Sequence, residues 1–155
     1  MVSFSSIFIQ NFKRFAGKHQ IPLQNDSGRL TIVAANNGLG KSTMMESIQI
    51  CLYGSRAIKY LHPDVKYHHW MKNAYSVQSD NSEKLHISLK LEDPAIGSIN
   101  VNRTYWVSEE IKDIEREEFY ITINGKPLEK ESNTSTSSNA EEWLEDYLPY
   151  AAMRK

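Results

Sequence analysis

The feature that most constrains this chain is a buried-strand pattern that leads through a glycine-rich turn into a helix pattern. Arg29–Ala34 (RLTIVA) is β-branched and mostly apolar, which is typical of a buried strand. From Lys41 to Tyr53 the apolar residues recur at helical spacing, and Gly54 stands where a helix-ending glycine belongs. Strand, turn and helix in this order predict an α/β domain.

The turn carries the residue types that hold a triphosphate. Glycines at 38 and 40 let backbone N–H groups point inward, and the unpaired N–H groups of a helix start attract an anion. Lysine at 41 reaches the β- and γ-phosphates, and the hydroxyl of Ser42 binds Mg²⁺. Thr43 is expected to reach the α-phosphate. The predicted ATP-binding residues of this phosphate-binding loop (P-loop) are Asn36, Asn37, Gly38, Leu39, Gly40, Lys41, Ser42 and Thr43, with Ser42 as the metal ligand.

One position departs from the usual G-x-x-x-x-G-K-[ST] pattern, because Ala35 replaces the first glycine. The extra methyl group is expected to affect the affinity for nucleotide more than it affects the identification of this segment as a phosphate-binding loop. A chance glycine turn before a helix is the alternative interpretation. The combination of strand, loop and helix favours the phosphate-binding loop.

The rest of the chain predicts one domain with a second β region. Alternating apolar residues, and the hairpin signal Asn124-Gly125, predict an antiparallel meander, with Glu109–Glu118 as an acidic loop between two of its strands. The expected fold is therefore α/β: a P-loop NTPase lobe with a mixed sheet, a P-loop helix and an adjoining antiparallel β-meander. The expected parts of the domain 1–155 are strands, P-loop and helix in 1–54, an irregular connection in 55–84, the meander in 85–128, a flexible stretch in 131–139 and a short helix in 140–148, capped by Asn139.

Composition and charge narrow the class of protein. Apolar runs fall short of the ~20 residues that cross a bilayer, so no membrane partner is expected. The single cysteine, Cys51, excludes an internal disulfide and fits a cytoplasmic location. Residues 1–77 hold nine Lys/Arg against three Asp/Glu, whereas 78–155 hold nine against sixteen. This asymmetry is consistent with an anionic ligand on the first half or with two solvated faces that simply differ.

The loop and helix resemble the N-terminal lobe of the SMC/SbcC-type (ABC-class) ATPase heads. The resemblance rests on residues 37–43 (NGLGKST), on Glu46-Ser47-Ile48, on the helix ending Cys51–Gly54, and on the opening Ile9–Phe15 (IQNFKRF). Within this group the chain is most similar to the DNA sulfur-modification ATPase DndD and its relatives, through Arg103–Trp106 and the segment 123–126.

The resemblance implies an ATPase that is completed by a second lobe. The Asp-Glu strand and the Ser-Gly signature helix of such heads are not found, and Leu89–Asp93 fits a hairpin better than a catalytic strand. The chain is therefore expected to bind ATP but to turn over little until a C-terminal lobe is supplied and two heads dimerise. The resemblance also places Lys13 and Arg14 near the phosphates or the DNA, with Arg14 preferred because arginine binds phosphate in bidentate fashion.

The partners that the resemblance implies are DNA, bound through its phosphate backbone without base specificity, a second head, and a nuclease or DNA-modification protein. The process served would be repair, DNA modification or phage defence. A small P-loop kinase and a non-hydrolysing scaffold with a decayed loop are the alternatives. His62, His68 and His69 are expected to be structural or exposed rather than a metal site.

Overall fold

The structure is a computed structural model, and it describes residues 2–23, 41–75, 84–108, 113–128 and 136–149. These residues form six strands and four helices. In chain order they are β1 (Ser3–Phe12), β2 (Phe15–Pro22), α1 (Lys41–Tyr53), α2 (Ser55–Leu61), α3 (Tyr67–Ala74), β3 (Lys84–Asp93), β4 (Gly97–Ser108), β5 (Asp113–Ile123), β6 (Lys126–Pro127) and α4 (Thr136–Tyr147).

One sheet contains all the described strands, in the order β2-β1-β3-β4-β5-β6. Each described pair is antiparallel, including β1 with β3, which joins the first hairpin to the meander. The α/β class expected for a P-loop NTPase lobe is confirmed. The strand predicted at Arg29–Ala34 lies outside the described residues, as does the loop from Asn36 to Gly40.

The core lies between one face of this sheet and the helices. In β3 the side chains of Leu85, Ile87, Leu89 and Leu91 are all buried, and the residues between them are less so, as the period-two pattern predicts. Helix α1 packs on this face, where the Cys51 thiol donates to the carbonyl oxygens of Ile87 (3.4 Å) and Val101 (3.3 Å).

The segment predicted as an irregular connection contains the helices α2 and α3. Gly54 separates α1 from α2 with a φ of 56°, a backbone conformation that glycine adopts without strain. Each short helix buries a small apolar pair, Ala57 with Ile58 and Met71 with Ala74. The expectation of an irregular connection is therefore wrong here. In α3 the residues Tyr67, Trp70, Met71 and Ala74 do recur at helical spacing (i, i+3, i+4, i+7), whereas α2, with seven residues, is too short to show a period.

Two further boundaries differ from the prediction. β5 begins at Asp113 and takes in residues expected to form an acidic loop before Phe119, because their backbone pairs with β4 whatever the side-chain charge. α4 begins at Thr136, so Asn139 lies inside the helix instead of capping it, and part of the stretch predicted as flexible is helical. The Asn124-Gly125 turn is confirmed, with φ values of 51° and 82°.

None of the helices in the described ranges has the length and apolar character that crossing a membrane requires.

Candidate nucleotide-binding site

Helix α1 begins at Lys41, the residue at which the P-loop motif requires a helix to start. Its first turn contains no acidic residue. This matters because helix N-termini usually attract acidic side chains, and an acid here would compete with a phosphate. Ser42 is exposed and Thr43 is buried. A Mg²⁺-binding hydroxyl on the first turn would thus be accessible, and the chemistry of the described donors fits Mg²⁺–nucleotide binding.

Lys13, from the turn between β1 and β2, lies beside the same helix. Its ammonium group donates to Glu46 Oε1 at 2.9 Å. Glu46 follows Ser42 by one helical turn, so the two side chains share a face of α1. The Lys13 ammonium also lies 4.8 Å from the centroid of the Trp70 ring in α3. A positive charge is therefore held near the N-terminal turn of α1.

The backbone around Lys13 explains how the Asn-Phe-Lys sequence delivers this charge. Asn11 and Lys13 both have positive φ, 58° and 50°. The Asn11 amide bridges the turn, donating to the Lys84 carbonyl (3.0 Å) and accepting from the Gly17 N–H (2.8 Å). The Lys13 N–H donates to the Ala74 carbonyl at 2.6 Å. These bonds offset the strain of the left-handed conformation, which asparagine tolerates better than most residues.

Arg14, the preferred phosphate ligand in the sequence analysis, has a different environment. Its side chain is exposed, and it makes no hydrogen bond or ion pair within the part of the chain that the structure describes. The structure therefore brings Lys13, rather than Arg14, to α1.

Sequence reasoning missed Arg103, which holds the other end of α1. Its side chain is 4% exposed, and its Nε donates to the Cys51 carbonyl at 3.2 Å. Its NH1 pairs with Glu117 Oε1 at 3.2 Å, and its Cζ lies 4.1 Å from the Phe119 ring centroid. The signal was present in the sequence, since the period-two pattern of Ile99–Val107 places position 103 on the apolar face of the strand.

Two tyrosines complete the buried network around Arg103. Tyr67 from α3 donates to Glu117 and is hydrogen-bonded to Tyr105. Burial raises the pKa of both phenols above the ordinary range, and the Glu117 carboxylate raises them further. Both hydroxyls therefore stay neutral and serve as hydrogen-bonding links between α3 and the sheet.

A cleft of about 360 Å³ lies at this C-terminal end of α1, next to α4. The charged side chains that line it are Arg56, Arg103, Glu117, Glu141, Glu142 and Glu145. The carboxylates outnumber the guanidinium groups, so the cleft disfavours a triphosphate. The nucleotide-binding prediction therefore concerns the opposite, N-terminal end of the helix.

The remaining residues named in the sequence analysis are His62, His68, His69 and Cys51. His62 stacks on Trp70, with ring centroids 5.3 Å apart, whereas His68 and His69 are exposed. Within the described residues, the His, Cys, Asp and Glu side chains form no group that could hold a metal ion. Burial raises the pKa of the Cys51 thiol to about 12, which agrees with an inert cysteine.

The end of β3 is a hairpin, as expected, and not a catalytic strand. The Asp93 carboxylate accepts hydrogen bonds from the N–H groups of Ala95 (2.8 Å) and Ile96 (3.2 Å) in the following turn. It also accepts one from the Tyr147 hydroxyl. Its oxygens are thus used to fix the turn and to dock α4.

The family model described as an AAA domain matches residues 6–151, nearly the whole chain. No curated protein matches the sequence.

Proposed function

Because this chain belongs to the AAA domain family of P-loop ATPases, we propose that it is the ATP- and Mg²⁺-binding lobe of an SMC-like ATPase head. One observation carries the proposal. α1 begins at Lys41 without an acidic residue in its first turn, and the Lys13 ammonium lies beside the same helix. The N-terminal turn of a helix and a nearby lysine, which is paired with Glu46, thus meet where the P-loop sequence ends.

The proposed roles follow from the chemistry of each side chain. The backbone of residues 36–40 would surround the phosphates, and the Lys41 ammonium would neutralise the β- and γ-phosphates. The Ser42 hydroxyl would bind Mg²⁺, which supplies charge neutralisation at the phosphates when it is bound. Thr43 would orient the α-phosphate. Lys13 is proposed as a further phosphate contact, with Arg14 as a residue of the DNA-facing surface.

Hydrolysis is proposed for the complete head only. A carboxylate that polarises the attacking water would come from a C-terminal lobe, and a second head would close the site. This lobe alone is proposed to bind ATP and turn over little of it. The wider role, in a DndD-like DNA transaction with a nuclease or DNA-modification partner, is supported by the sequence resemblance and by the basic excess of the first half.

Calorimetric titration with ATP and Mg²⁺ tests the proposal. The wild-type chain is expected to bind with micromolar Kd. Lys41→Ala is expected to weaken binding by at least ~100-fold, because it removes a charge-assisted phosphate contact. Lys59→Ala, which removes an exposed lysine of α2, is the matched control and should bind as the wild type does. Circular dichroism checks that both variants are folded.

The same experiment separates the alternatives. Phosphoryl transfer by this chain alone, detected in a coupled assay, would favour a small kinase. Absence of binding up to millimolar nucleotide would favour a scaffold with a decayed loop. Unchanged affinity of Lys41→Ala would contradict the P-loop assignment itself.

A further inference from the structure

Glu46 places a negative charge close to the site proposed for a triphosphate. Its side chain is 18% exposed and lies on α1, one helical turn beyond Ser42. A turn of helix rises about 5.4 Å, so the carboxylate lies within ~10 Å of the proposed metal position. A charge at that distance opposes phosphate binding unless it is neutralised.

Each oxygen of the Glu46 carboxylate has a nitrogen atom as its partner. The Lys13 ammonium donates to Oε1 at 2.9 Å, and His62 Nε2 lies 3.4 Å from Oε2. The two oxygens thus have different partners, from the β1–β2 turn and from the end of α2. The carboxylate receives contacts of the kind that a phosphate oxygen would receive.

The backbone of Lys13 is held in place, whereas its side chain is partly exposed. The backbone is held by the bond from its N–H to the Ala74 carbonyl and by the bridge between Phe12 and Tyr75. The Lys13 ammonium lies 5.9 Å from the centroid of the Phe12 ring and 4.8 Å from the centroid of the Trp70 ring. The side chain is nevertheless 34% exposed. Its ammonium can therefore change partner by rotating its four-carbon stem, without moving the fold.

We propose that Glu46 acts as an intramolecular substitute for phosphate. In the nucleotide-free protein it binds the Lys13 ammonium beside α1, and Lys13 transfers to a phosphate oxygen when ATP–Mg²⁺ binds, which leaves Glu46 with His62. The inference rests on the proposed function, and it assigns Glu46 as a positioning residue that tunes affinity. The ion pair stores the cation near the site and reduces affinity, because it must be broken for each nucleotide bound.

Nucleotide titration of a double-mutant cycle tests this exchange. Glu46→Gln keeps the shape of the side chain but releases Lys13, and it should tighten ATP–Mg²⁺ binding about three- to tenfold. Lys13→Ala should weaken binding by a similar factor. In the Lys13→Ala background, Glu46→Gln should tighten binding by a clearly smaller factor, because it then relieves only the repulsion between Glu46 and the phosphates and no longer releases a cation. Glu145→Gln, which removes the acid of the exposed Arg56 pair, is the matched control and should leave Kd unchanged.

A spectroscopic readout follows Lys13 directly. Trp70 is the tryptophan next to its ammonium, and Trp106→Phe with Trp143→Phe leaves it as the sole fluorescent indole. Saturating ATP–Mg²⁺ should change the Trp70 emission of this protein, and adding Lys13→Ala should abolish the change at saturation.

The outcomes are distinguishable. Equal tightening by Glu46→Gln with and without Lys13 would overturn the exchange, because it would show simple charge repulsion. Unchanged affinity of Glu46→Gln, with wild-type binding intact, would also overturn it while leaving the proposed function in place. A wild-type chain that binds no nucleotide would refute the proposed function and this inference together.

Discussion

Gly54 joins α1 to α2 at a point where the structure leaves no room for a side chain. Its φ of 56° is in the left-handed region. A Cβ atom there would lie 2.7 Å from Arg103 NH1 and 2.9 Å from Arg103 Cζ, both closer than real contacts allow. Gly54→Ala is therefore predicted to strain the backbone and to displace a buried guanidinium group.

The backbone strain and the displacement of the guanidinium group can each be given a free-energy cost. The backbone conformation of Gly54, with φ 56° and ψ −123°, costs a non-glycine residue about 1–3 kcal/mol. Displacing the guanidinium weakens its charged hydrogen bonds to the Cys51 carbonyl and to Glu117, and loss of such a bond costs about 1.5–3 kcal/mol. The total expected for Gly54→Ala is about 2.5–6 kcal/mol of unfolding free energy, a large part of the stability of a domain this size.

Urea unfolding followed by circular dichroism measures these terms, with Gly17→Ala as the matched control. Gly17 also has a positive φ, of 74°, but nothing lies within 4 Å of an added Cβ. Its substitution should cost only the backbone term of about 1–2 kcal/mol. In the Arg103→Met background the cost of Gly54→Ala should fall to its backbone cost alone, because the group it displaces is absent. A Gly54→Ala cost no larger than that of Gly17→Ala, or equal costs in both Arg103 backgrounds, would refute the argument.

Two further predictions concern the buried Cys51 thiol and the half-buried His86 imidazole. The Cys51 thiol is buried, and its pKa is raised to about 12. It should therefore resist a thiol reagent at pH 8 in the native protein and react fully in urea. Labelling at the same rate in both conditions would contradict its burial. Burial lowers the pKa of His86 below its ordinary value of 6.5. As the pH falls, the unfolded state therefore binds the proton before the folded state does. The free energy of unfolding should decrease as the pH falls below 6.5. His86→Gln should flatten the change in unfolding free energy between pH 7.5 and 5.5, and an unaltered slope would exclude His86 as its source.

The elements that could be predicted are those in which a local pattern and the tertiary environment agree. The predicted bounds of α1, Lys41 and Tyr53, are those observed, because the P-loop motif marks its start and Gly54 marks its end. The β3 strand was predicted because one of its faces is buried and the other is not. The Asn124-Gly125 turn depends only on two residues that tolerate positive φ.

The rest could not be predicted because it depends on partners distant in sequence. Asp113 to Glu118 appear as a solvated loop until β4 supplies backbone pairing and Arg103 pairs with Glu117. Lys13 and Arg14 are adjacent and both cationic, and the contact of the β1 end with α3 directs Lys13 to α1. The resemblance pointed to both residues, and Arg14 was preferred for its bidentate phosphate binding, which carries no information on the direction of the side chain.

The way α1 is stabilised explains why its N-terminus is suited to a ligand. Its last four residues, Ile50 to Tyr53, are 0–4% exposed, and four consecutive residues cover the whole circumference of a helix. The Tyr53 hydroxyl donates to the Leu148 carbonyl at 2.9 Å, and Arg103 binds the Cys51 carbonyl. The helix is thus stabilised by packing and by bonds at its C-terminal end, so it does not depend on an acidic side chain in its first turn. A helix held in this way can leave the N–H groups of its first turn for a phosphate, which a helix stabilised at its N-terminus by its own side chains could not do.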